Sequence, residues 1–514
     1  MMGRHAEALT TPVRTASPAP ARTTPTTRSG GQASSRPIAT APRQRPGGRP
    51  GRGRAGRPGR TEVVDEAQKR HERTLLLFLT VLLALSVVQF YTVGPVTAPV
   101  GWSLLFLPYL VTRMRGTHVD RFVVLALLIF GATLFAVSYS RTPSVGLREL
   151  VSTISFLSPY LAVRQLGPSA WRVVGRALVW SAPVFLLQVV LTIVFQVDPV
   201  QEAAYLRWPN AVLFSDIYVR DIFTTSFNNV LQEKSGGFFL NGNIASMYMA
   251  TTAALYFAAW RKQRGKVLFL TAVAGLAGSL FTLSKTAIVL AIVLPVVVAA
   301  IRGLKGRSLG PVAWMIAIPS SIAAIYSVAV FFPQLANAGL LTLGARGDFM
   351  RLAASAFPEH WLLGLGYGGW EDLWLARASE FTQHSEPRPP HNLLISAWSN
   401  GGLLIALPVL AFLLAATVGV LRLLLRVAKT EAVLVGALAV GILWTFLHGM
   451  ADNTNWFGDQ HSLAALAITV ALVSGMLAEQ RDVPVARVVT PPRDLRGASR
   501  PGGRGRPATP RARR

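Results

Sequence analysis

Three basic side chains, Lys285, Arg346 and His391, lie near the edges of apolar runs, and their types suit work on a phosphorylated, hydroxyl-bearing substrate. Lys285 joins two apolar runs in the segment 280–287, almost without a loop. A charge at a membrane interface is costly, and snorkelling relieves only part of that cost. Lys285 is therefore interpreted either as a snorkelling interface lysine or as a cation that faces an anionic group of a substrate.

Arg346 and Arg351 lie on a segment in which the spacing of Phe349 and Leu352 predicts a helix. An arginine guanidinium donates paired hydrogen bonds to phosphate oxygens, so two arginines on one helix form a candidate phosphate clamp. The alternative is a surface ion pair between Arg346 and Asp348, which would contribute little to stability.

His391 follows the stiff segment Pro387–Pro390 and precedes a long apolar helix, which predicts a position in or near the first helical turn. A neutral imidazole held by rigid flanks suits the role of general base toward a sugar hydroxyl. The alternative is a polar residue that only ends a helix. Asn392 would hold the ring or contact substrate, and His448 and Asp452 are weaker candidates near another boundary.

The elements that position these residues are apolar helices. The chain has 514 residues, 51% hydrophobic and 15% charged, and contains no cysteine, which excludes disulfides and thiolate metal sites. Continuous apolar runs, each near the length that crosses about 30 Å of hydrocarbon, predict an all-α polytopic membrane protein. The predicted spans, about twelve, are 74–93, 100–112, 122–139, 149–163, 177–196, 238–259, 267–283, 286–301, 310–332, 392–421, 431–448 and 461–478.

Positive charge is concentrated in particular connections and in both tails. The connections 113–121, 164–176, 261–266, 302–307 and 422–429 hold 16 Lys/Arg in 42 residues, which places them inside by the positive-inside rule. The tails 1–73 and 479–514, rich in Pro, Gly and Arg, are predicted to be disordered, basic and cytoplasmic. Contact with anionic membrane lipids is favoured over nucleic-acid binding for them, because their composition specifies no partner.

Within the transmembrane domain 74–478, two long polar segments then lie outside, at the cell membrane's outer face. The larger, 333–391, carries many charges, a turn from Gly364 to Gly369, and Trp361, Trp370 and Trp374, which argue against disorder. The second, 197–237, mixes aromatic and charged side chains, Arg220 among them, and predicts an interfacial helix.

Four segments between about residues 238 and 410 share their order with motifs of a known family. They are Phe238–Ala245, Leu280–Ala287, Arg346–Gly368 and His391–Leu404. In them the chain resembles the O-antigen ligase and Wzy-type polysaccharide polymerase superfamily, membrane glycosyltransferases with GT-C-like folds. Lys285 stands where that family usually has arginine, which keeps the charge but loses the bidentate fork. Ile405 stands where a second glycine is common.

The resemblance implies an inverting, metal-independent transfer of glycan from an undecaprenyl-diphosphate donor to a hydroxyl of a glycan, lipid or protein acceptor. His391 would be the general base, with Arg346 and Lys285 on the diphosphate, and no cofactor or metal is expected. The predicted substrate contacts are Arg351, Asn392, Gly364, Gly366, Asn243 and Arg220.

Two other function classes compete with this interpretation. A transporter or flippase of lipid-linked glycan would favour internal repeats and ionisable groups at mid-membrane, whereas the charges here cluster toward one face. A nonenzymatic scaffold that acts through its basic tails leaves the segment 333–391 without a role. Polymerase and ligase differ only in the acceptor, and the sequence does not separate them.

Overall fold

The structure, a computed structural model, describes residues 59–87, 92–93, 96–198, 201–202, 234–239, 241–303, 333–377, 380, 389–451, 454 and 456–482. The predicted span 310–332, most of the segment 197–237 with its predicted interfacial helix, residues 1–58 and 483–514 of the predicted disordered tails, Arg220 and Asp452 lie outside these ranges. The prediction of disorder is wrong for residues 59–73 and 479–482, which are helical, because helix-forming residues there extend the neighbouring apolar helices. By its contacts the chain divides into the units Met1–Arg60 and Thr61–Arg514. Apart from Gly59 and Arg60, every described residue belongs to the second unit.

The described residues are overwhelmingly helical. The first half contains α1 (Gly59–Leu85), α2 (Ala98–Thr112), α3 (Arg121–Ser138), α4 (Pro143–Leu166) and α5 (Ala170–Val197). The second half contains α6 (Gly242–Gln263), α7 (Lys266–Phe281), α8 (Lys285–Gly303), α9 (Pro333–His360), α10 (Gly369–Ala376), α11 (Leu393–Arg426), α12 (Lys429–Gly449) and α13 (Leu463–Asp482). Two short strands, β1 (Thr92–Val93) and β2 (Val96–Thr97), pair antiparallel.

Six helical stretches among the described residues are long and apolar enough to cross a membrane: Arg121–Ser138, Pro143–Val197, Lys285–Gly303, Leu393–Arg426, Lys429–Gly449 and Leu463–Gln480. Large apolar side chains such as Leu127, Val190 and Leu270 point outward and are about half exposed or more. Contact with lipid explains such a surface, because a large apolar surface is unfavourable in water. The chain is therefore an all-α membrane protein, and the full set of twelve spans stays a prediction.

Aromatic rings form the centre of the core. Phe156 of α4 stacks on Phe457 with ring centroids 4.4 Å apart, and Phe412 of α11 meets Phe156 edge-on at 5.2 Å. All three side chains are buried, so α4, α11 and the segment before α13 share one packed interior. This shared packing fixes the positions of these elements relative to one another.

Charged and polar side chains join the helices at one end of the bundle, which we call the basic end. Arg302, near the end of α8, donates to the carbonyl oxygens of Leu424 and Val427 at 2.8 and 3.0 Å. Lys262, near the end of α6, pairs with Glu431 in the first turn of α12 at 3.7 Å. The end of α8 and the α6–α7 connection therefore both meet the α11–α12 connection.

The remaining basic connections belong to the same end. Asp120 caps α3 by accepting from the Phe122 amide at 3.0 Å, and Arg164 of α4 lies 3.8 Å from its carboxylate. Gln263, the last residue of α6, donates to the carbonyl of Trp171 in α5. The structure thus groups together the connections that the charge pattern predicted to share a side.

Candidate functional site

The predicted site residues that the structure describes lie toward the opposite end, which we call the site end. It contains the starts of α4, α6, α8, α11 and α13 and the ends of α3, α7 and α12. Helices joined by short connections run antiparallel, so starts and ends alternate at each end of the bundle.

The first part of the site end joins the segments 241–243 and 282–285. Asn241 caps α6 by accepting from the Asn243 amide at 2.8 Å. A Cβ at Gly242 would lie 3.3 Å from the carbonyl oxygen of Thr282, so the start of α6 packs directly against the turn between α7 and α8. Lys285 is the first residue of α8 and is half-buried. Two of the four motif segments therefore touch, although about 40 residues separate them.

The turn before Lys285 is built by hydroxyl groups and one strained residue. The Thr282 hydroxyl donates to the Ser279 carbonyl at 2.8 Å and accepts from the Ser284 amide at 3.2 Å. Leu283 between them has φ of 53°, in the left-handed region that a branched side chain seldom occupies. The local geometry directs the chain into α8 with Lys285 at its start.

The second part of the site end joins the glycine turn to a kink in α11. Gly402 interrupts α11 with φ of 61°, and a Cβ there would lie 2.0 Å from the carbonyl oxygen of Leu362. The Leu365 amide donates to the Ser399 carbonyl at 2.7 Å, and the Leu403 amide donates to the Trp361 carbonyl at 3.0 Å. The kink leaves backbone N–H and C=O groups of α11 without partners inside the helix, and the glycine turn forms hydrogen bonds with them.

The predicted contact residues Gly364 and Gly366 lie in this turn. Both have positive φ, 69° and 76°, which glycine adopts without strain. A Cβ at Gly364 would lie 2.2 Å from the Trp398 carbonyl oxygen. Close backbone packing therefore requires Gly364, and a contact of either glycine with substrate stays a prediction.

The other side of the glycine turn is held by the α3–α4 connection. The Tyr139 hydroxyl donates to the Leu363 carbonyl at 2.6 Å. The Thr142 amide donates to the Tyr367 carbonyl at 3.1 Å, and the Tyr367 amide donates to the Ser140 hydroxyl at 2.9 Å. Tyr367 is fully buried, and this burial raises the pKa of its phenol. The turn is clamped between two helical regions.

His391 is held in a strained conformation against α9. Its φ is 47°, its side chain is half-buried, and its ring lies 5.6 Å from that of Phe349. Phe349 is buried and packs against Trp374 of α10 at 5.2 Å. A non-glycine residue in the left-handed region is uncommon, and such strain concentrates at functional positions.

Asn392 has a structural task of its own. Its side-chain oxygen caps α11 by accepting from the Leu394 and Ile395 amides at 3.0 and 3.2 Å. Its amide nitrogen donates to the Met450 carbonyl at 3.3 Å, which ties the start of α11 to the end of α12. These bonds fix the backbone next to His391, so Asn392 positions the ring through the main chain.

The helical spacing predicted for residues 346–357 is confirmed by α9. Phe349 and Leu352 point into a buried cluster with Trp370, Trp374 and Trp398. The backbone of Arg346 lies one helical turn from Phe349 on the same helix, and Phe349 contacts His391. The structure describes no side chain for Arg346.

Arg351, one turn after Asp348, extends away from the buried cluster of α9. Its guanidinium pairs with Asp348, and its side chain is 78% exposed. A contact between Arg351 and substrate would therefore take place on the solvent-facing side of α9.

The end of α12 connects the two parts of the site end. The hydroxyls of Thr445 in α12 and Thr251 in α6 are 3.0 Å apart, and Trp444 is buried in a cluster with Ala287 of α8. A Cβ at Gly449 would lie 3.1 Å from Leu393 at the start of α11. His448, a weaker candidate from the sequence, is buried in this stretch. The helix that begins at Lys285 and the helix that follows His391 thus both pack against α12.

A polar cavity of about 320 Å³ opens at the site end, beside the segment Pro389–Pro390 that precedes His391. Its walls come from α4, α11, the start of α10 and the segment before α13. Its charged or amide-bearing lining residues are Arg148, Glu149, Glu371, Asn400, Asp459 and Gln460. The carboxylate oxygen Oε2 of Glu149 is buried and has no hydrogen-bond partner among the described residues.

Sequence reasoning missed these cavity residues. Glu149 is the first residue of the predicted span 149–163. A polar or ionisable side chain inside an apolar helix is a functional signal by itself, and Glu149 and Asn400 both carry it. Asp459 and Gln460 carry no such signal, because polar residues are ordinary in a connection between helices and do not indicate that they will line a cavity.

A second buried carboxyl anchors the segment 234–239 to the region beyond α5. Glu202 accepts from the Gly236 amide at 2.8 Å and from the Ser235 hydroxyl at 3.4 Å. Burial raises the pKa of Glu202 to about 6, and the bonds from Gly236 and Ser235 oppose the shift. This anchor lies next to the start of α6.

No group of three His, Asp or Glu side chains suited to a metal ion occurs among the residues that the structure describes. No protein-family model matches the chain. A search of curated proteins likewise finds no match to it.

Proposed function

We propose that this chain is a membrane glycosyltransferase that transfers or polymerises glycan from an undecaprenyl-diphosphate-linked donor onto an acceptor hydroxyl. The reaction would be inverting and metal-independent, and it would serve cell-surface polysaccharide synthesis. One observation carries the proposal. The four segments that resemble the O-antigen ligase and polymerase superfamily meet at one end of the helix bundle: 241–243 packs on 282–285, and 361–365 packs on 399–403.

His391 would act as general base in this reaction. Its imidazole accepts the proton of the acceptor hydroxyl while the acceptor oxygen forms a bond to the anomeric carbon of the donor. The bond between that carbon and the diphosphate oxygen breaks, and the diphosphate leaves with the electron pair. Attack from the opposite face inverts the anomeric centre.

Lys285 and Arg346 would neutralise the charge that develops on the leaving diphosphate. Cations held near the membrane boundary attract a diphosphate more strongly than cations in water, since the local dielectric constant is low. The start of α8 supplies Lys285 and α9 supplies Arg346, so two separate helices would have to close on one diphosphate. The end of α12 contacts both the helix that begins at Lys285 and the start of the helix that follows His391.

The proposed setting is the plasma membrane. Twelve spans with both termini cytoplasmic would put the basic end inside and the site end outside. The distribution of charge favours this orientation, because basic connections stay on the cytoplasmic side. Donor glycans on undecaprenyl diphosphate would then reach the site from the outer leaflet.

The direct test is His391→Ala in cells whose own copy is deleted. Loss of glycan chain growth or transfer is expected, with the protein still inserted at normal abundance. His360→Ala is the matched control, because His360 is an exposed histidine at the end of α9. Normal product from His391→Ala would contradict the catalytic assignment.

Mass analysis of lipid-linked glycans in the deletion strain separates the remaining possibilities. Accumulated single repeats indicate a polymerase, and accumulated full-length chains on undecaprenyl diphosphate indicate a ligase. Unchanged lipid-linked glycans together with a mislocalised solute would favour a transporter and contradict the enzyme.

A further inference from the structure

The polar cavity contains a carboxylate oxygen that the protein leaves unsatisfied. Glu149 Oε2 is buried and has no hydrogen-bond partner among the described residues. Leaving a buried polar atom unpaired is costly, and more so for a charged group. Glu149 also lines the cavity, so a rotation of its carboxyl group would offer this oxygen to a ligand's hydroxyl or amide donor.

The facing walls supply complementary groups. Asn400 of α11 and Gln460, in the segment before α13, both line the cavity. A side-chain amide offers two donors and one accepting oxygen, although the oxygen of Gln460 already accepts from the Thr97 hydroxyl at 3.4 Å. A carboxyl group accepts and, when protonated, also donates. Glu149, Asn400 and Gln460 together therefore suit a ligand with several hydroxyl groups, each of which donates and accepts.

The charge of the lining argues against an anion. Three carboxyl groups, those of Glu149, Glu371 and Asp459, face one guanidinium, that of Arg148. A diphosphate would find a single cation in such a lining, together with the carboxylates of Glu371 and Asp459, which repel it. A neutral, hydroxyl-rich ligand pays no such cost.

The cavity also lies in the right place for an acceptor. Pro389 and Pro390 form part of its wall, and the next residue is His391. Trp370 adds an aromatic ring to the lining, and a ring surface packs well on the C–H face of a sugar. A volume of about 320 Å³ falls at the lower end of the range for small-molecule sites.

We infer that this cavity is a subsite for a neutral carbohydrate, the acceptor, with Glu149 accepting a hydrogen bond from a sugar hydroxyl and Asn400 binding from the facing wall. The assignment of this carbohydrate as the acceptor rests on the proposed function. It divides the site end into a neutral-sugar part around Glu149 and a diphosphate part around Lys285.

The test is ligand-detected NMR on the purified full chain in a sugar-free detergent. The probes are a panel of neutral methyl glycosides, and inorganic diphosphate is the anionic probe. At least one glycoside should show saturation transfer in the wild type. Glu149→Gln and Asn400→Ala should each weaken the affinity for that glycoside by roughly tenfold, because each removes one hydrogen bond to the ligand.

Two variants serve as matched controls. Glu359→Gln changes an exposed carboxyl on α9 outside the cavity, and Lys285→Ala changes the proposed diphosphate part. Neither variant should alter glycoside binding, and only Lys285→Ala should weaken the binding of diphosphate. Thermal melts of all variants confirm folding, and Asn400→Ala keeps the test decisive if Glu149→Gln fails to fold.

Several results would overturn the inference: no glycoside binds, binding survives both cavity variants, or diphosphate competes with the glycoside for the cavity. Failure of the subsite and failure of the proposed function give different results. Glycoside binding that depends on Glu149, together with normal glycan in His391→Ala cells, would keep the subsite and remove the transferase. Lost glycan in those cells without glycoside binding would do the reverse.

Discussion

The two ends of the helix bundle are built by different means. At the basic end, long charged side chains of regular helices close the gaps between neighbours, as Arg302 does with the carbonyls after α11. At the site end, Leu283, His391 and Gly402 have positive φ in turns and in a helix kink, whereas at the basic end Arg264 and Gly167 have positive φ at the ends of α6 and α4. Side chains on regular helices tolerate substitution better than a backbone that only certain residues can adopt. The basic end therefore mainly joins neighbouring helices, whereas the site end places its irregular backbone beside the predicted site residues.

The largest expected effect is on Gly402. A Cβ there would overlap the Leu362 carbonyl, and φ of 61° adds strain, so Gly402→Ala should cost about 4 kcal/mol of unfolding free energy. Gly116→Ala at the basic end is the control, because no atom lies within 4 Å of a Cβ there. Thermal unfolding in detergent measures both. Equal melting temperatures for the two variants would remove the distinction between the ends.

A smaller loss is expected at the basic end from Arg302→Gln. Two charged hydrogen bonds to carbonyls are lost, which should cost about 2–3 kcal/mol while glycan production stays normal. Lys266→Gln, an exposed site at the start of α7, should change stability by less than about 0.5 kcal/mol. Reduced glycan from a stably inserted Arg302→Gln protein would mean that the basic end shares in function.

Next in size is a pH effect at Glu202. Its pKa is about 6 in the folded protein and 4.5 in the unfolded reference, so the folded state holds the proton more tightly. Its stabilising contribution is present below pH 4.5 and lost as the pH rises through about 6, which amounts to about 2 kcal/mol. The Glu202→Gln variant should lack this pH dependence in thermal melts at pH 4.5 to 7.5. Parallel profiles for variant and wild type would contradict the shift.

The smallest effect on stability is expected at Arg351. Its ion pair with Asp348 is largely exposed, so Arg351→Ala should cost less than about 0.5 kcal/mol. Glycan production in the same cells then tests the predicted phosphate contact without interference from folding. Loss of product at unchanged melting temperature would favour the clamp, and full product would assign Arg351 to the surface alone.

Much of the fold follows from residue spacing. Apolar runs predict the membrane helices, and the positions of Phe349 and Leu352 predict the buried face of α9, since a helix repeats every 3.6 residues. The glycine turn is also predictable, because glycine alone adopts positive φ freely. Such patterns depend on neighbours in the chain, so they can be recognised without the fold.

The cavity shows the limit of this approach. Glu149, Asn400 and Gln460 are distant in sequence, and nothing local indicates that they face one space. The task of Asn392 is hidden for the same reason, since its second partner, the Met450 carbonyl, is 58 residues away. Partnerships of this kind depend on where helices end relative to one another, which periodicity does not encode.

By itself, the sequence determined the helical membrane class, the grouping of basic connections and the residues able to handle phosphate or a proton. Hydrophobicity, charge and side-chain chemistry are local properties, and they act wherever the chain goes. Only the tertiary structure decided that the glycine turn packs on the kink of α11, that α12 contacts both α8 and the start of α11, and that Glu149 lines a polar cavity. These arrangements arise from packing between distant segments, where the final geometry depends on all partners at once.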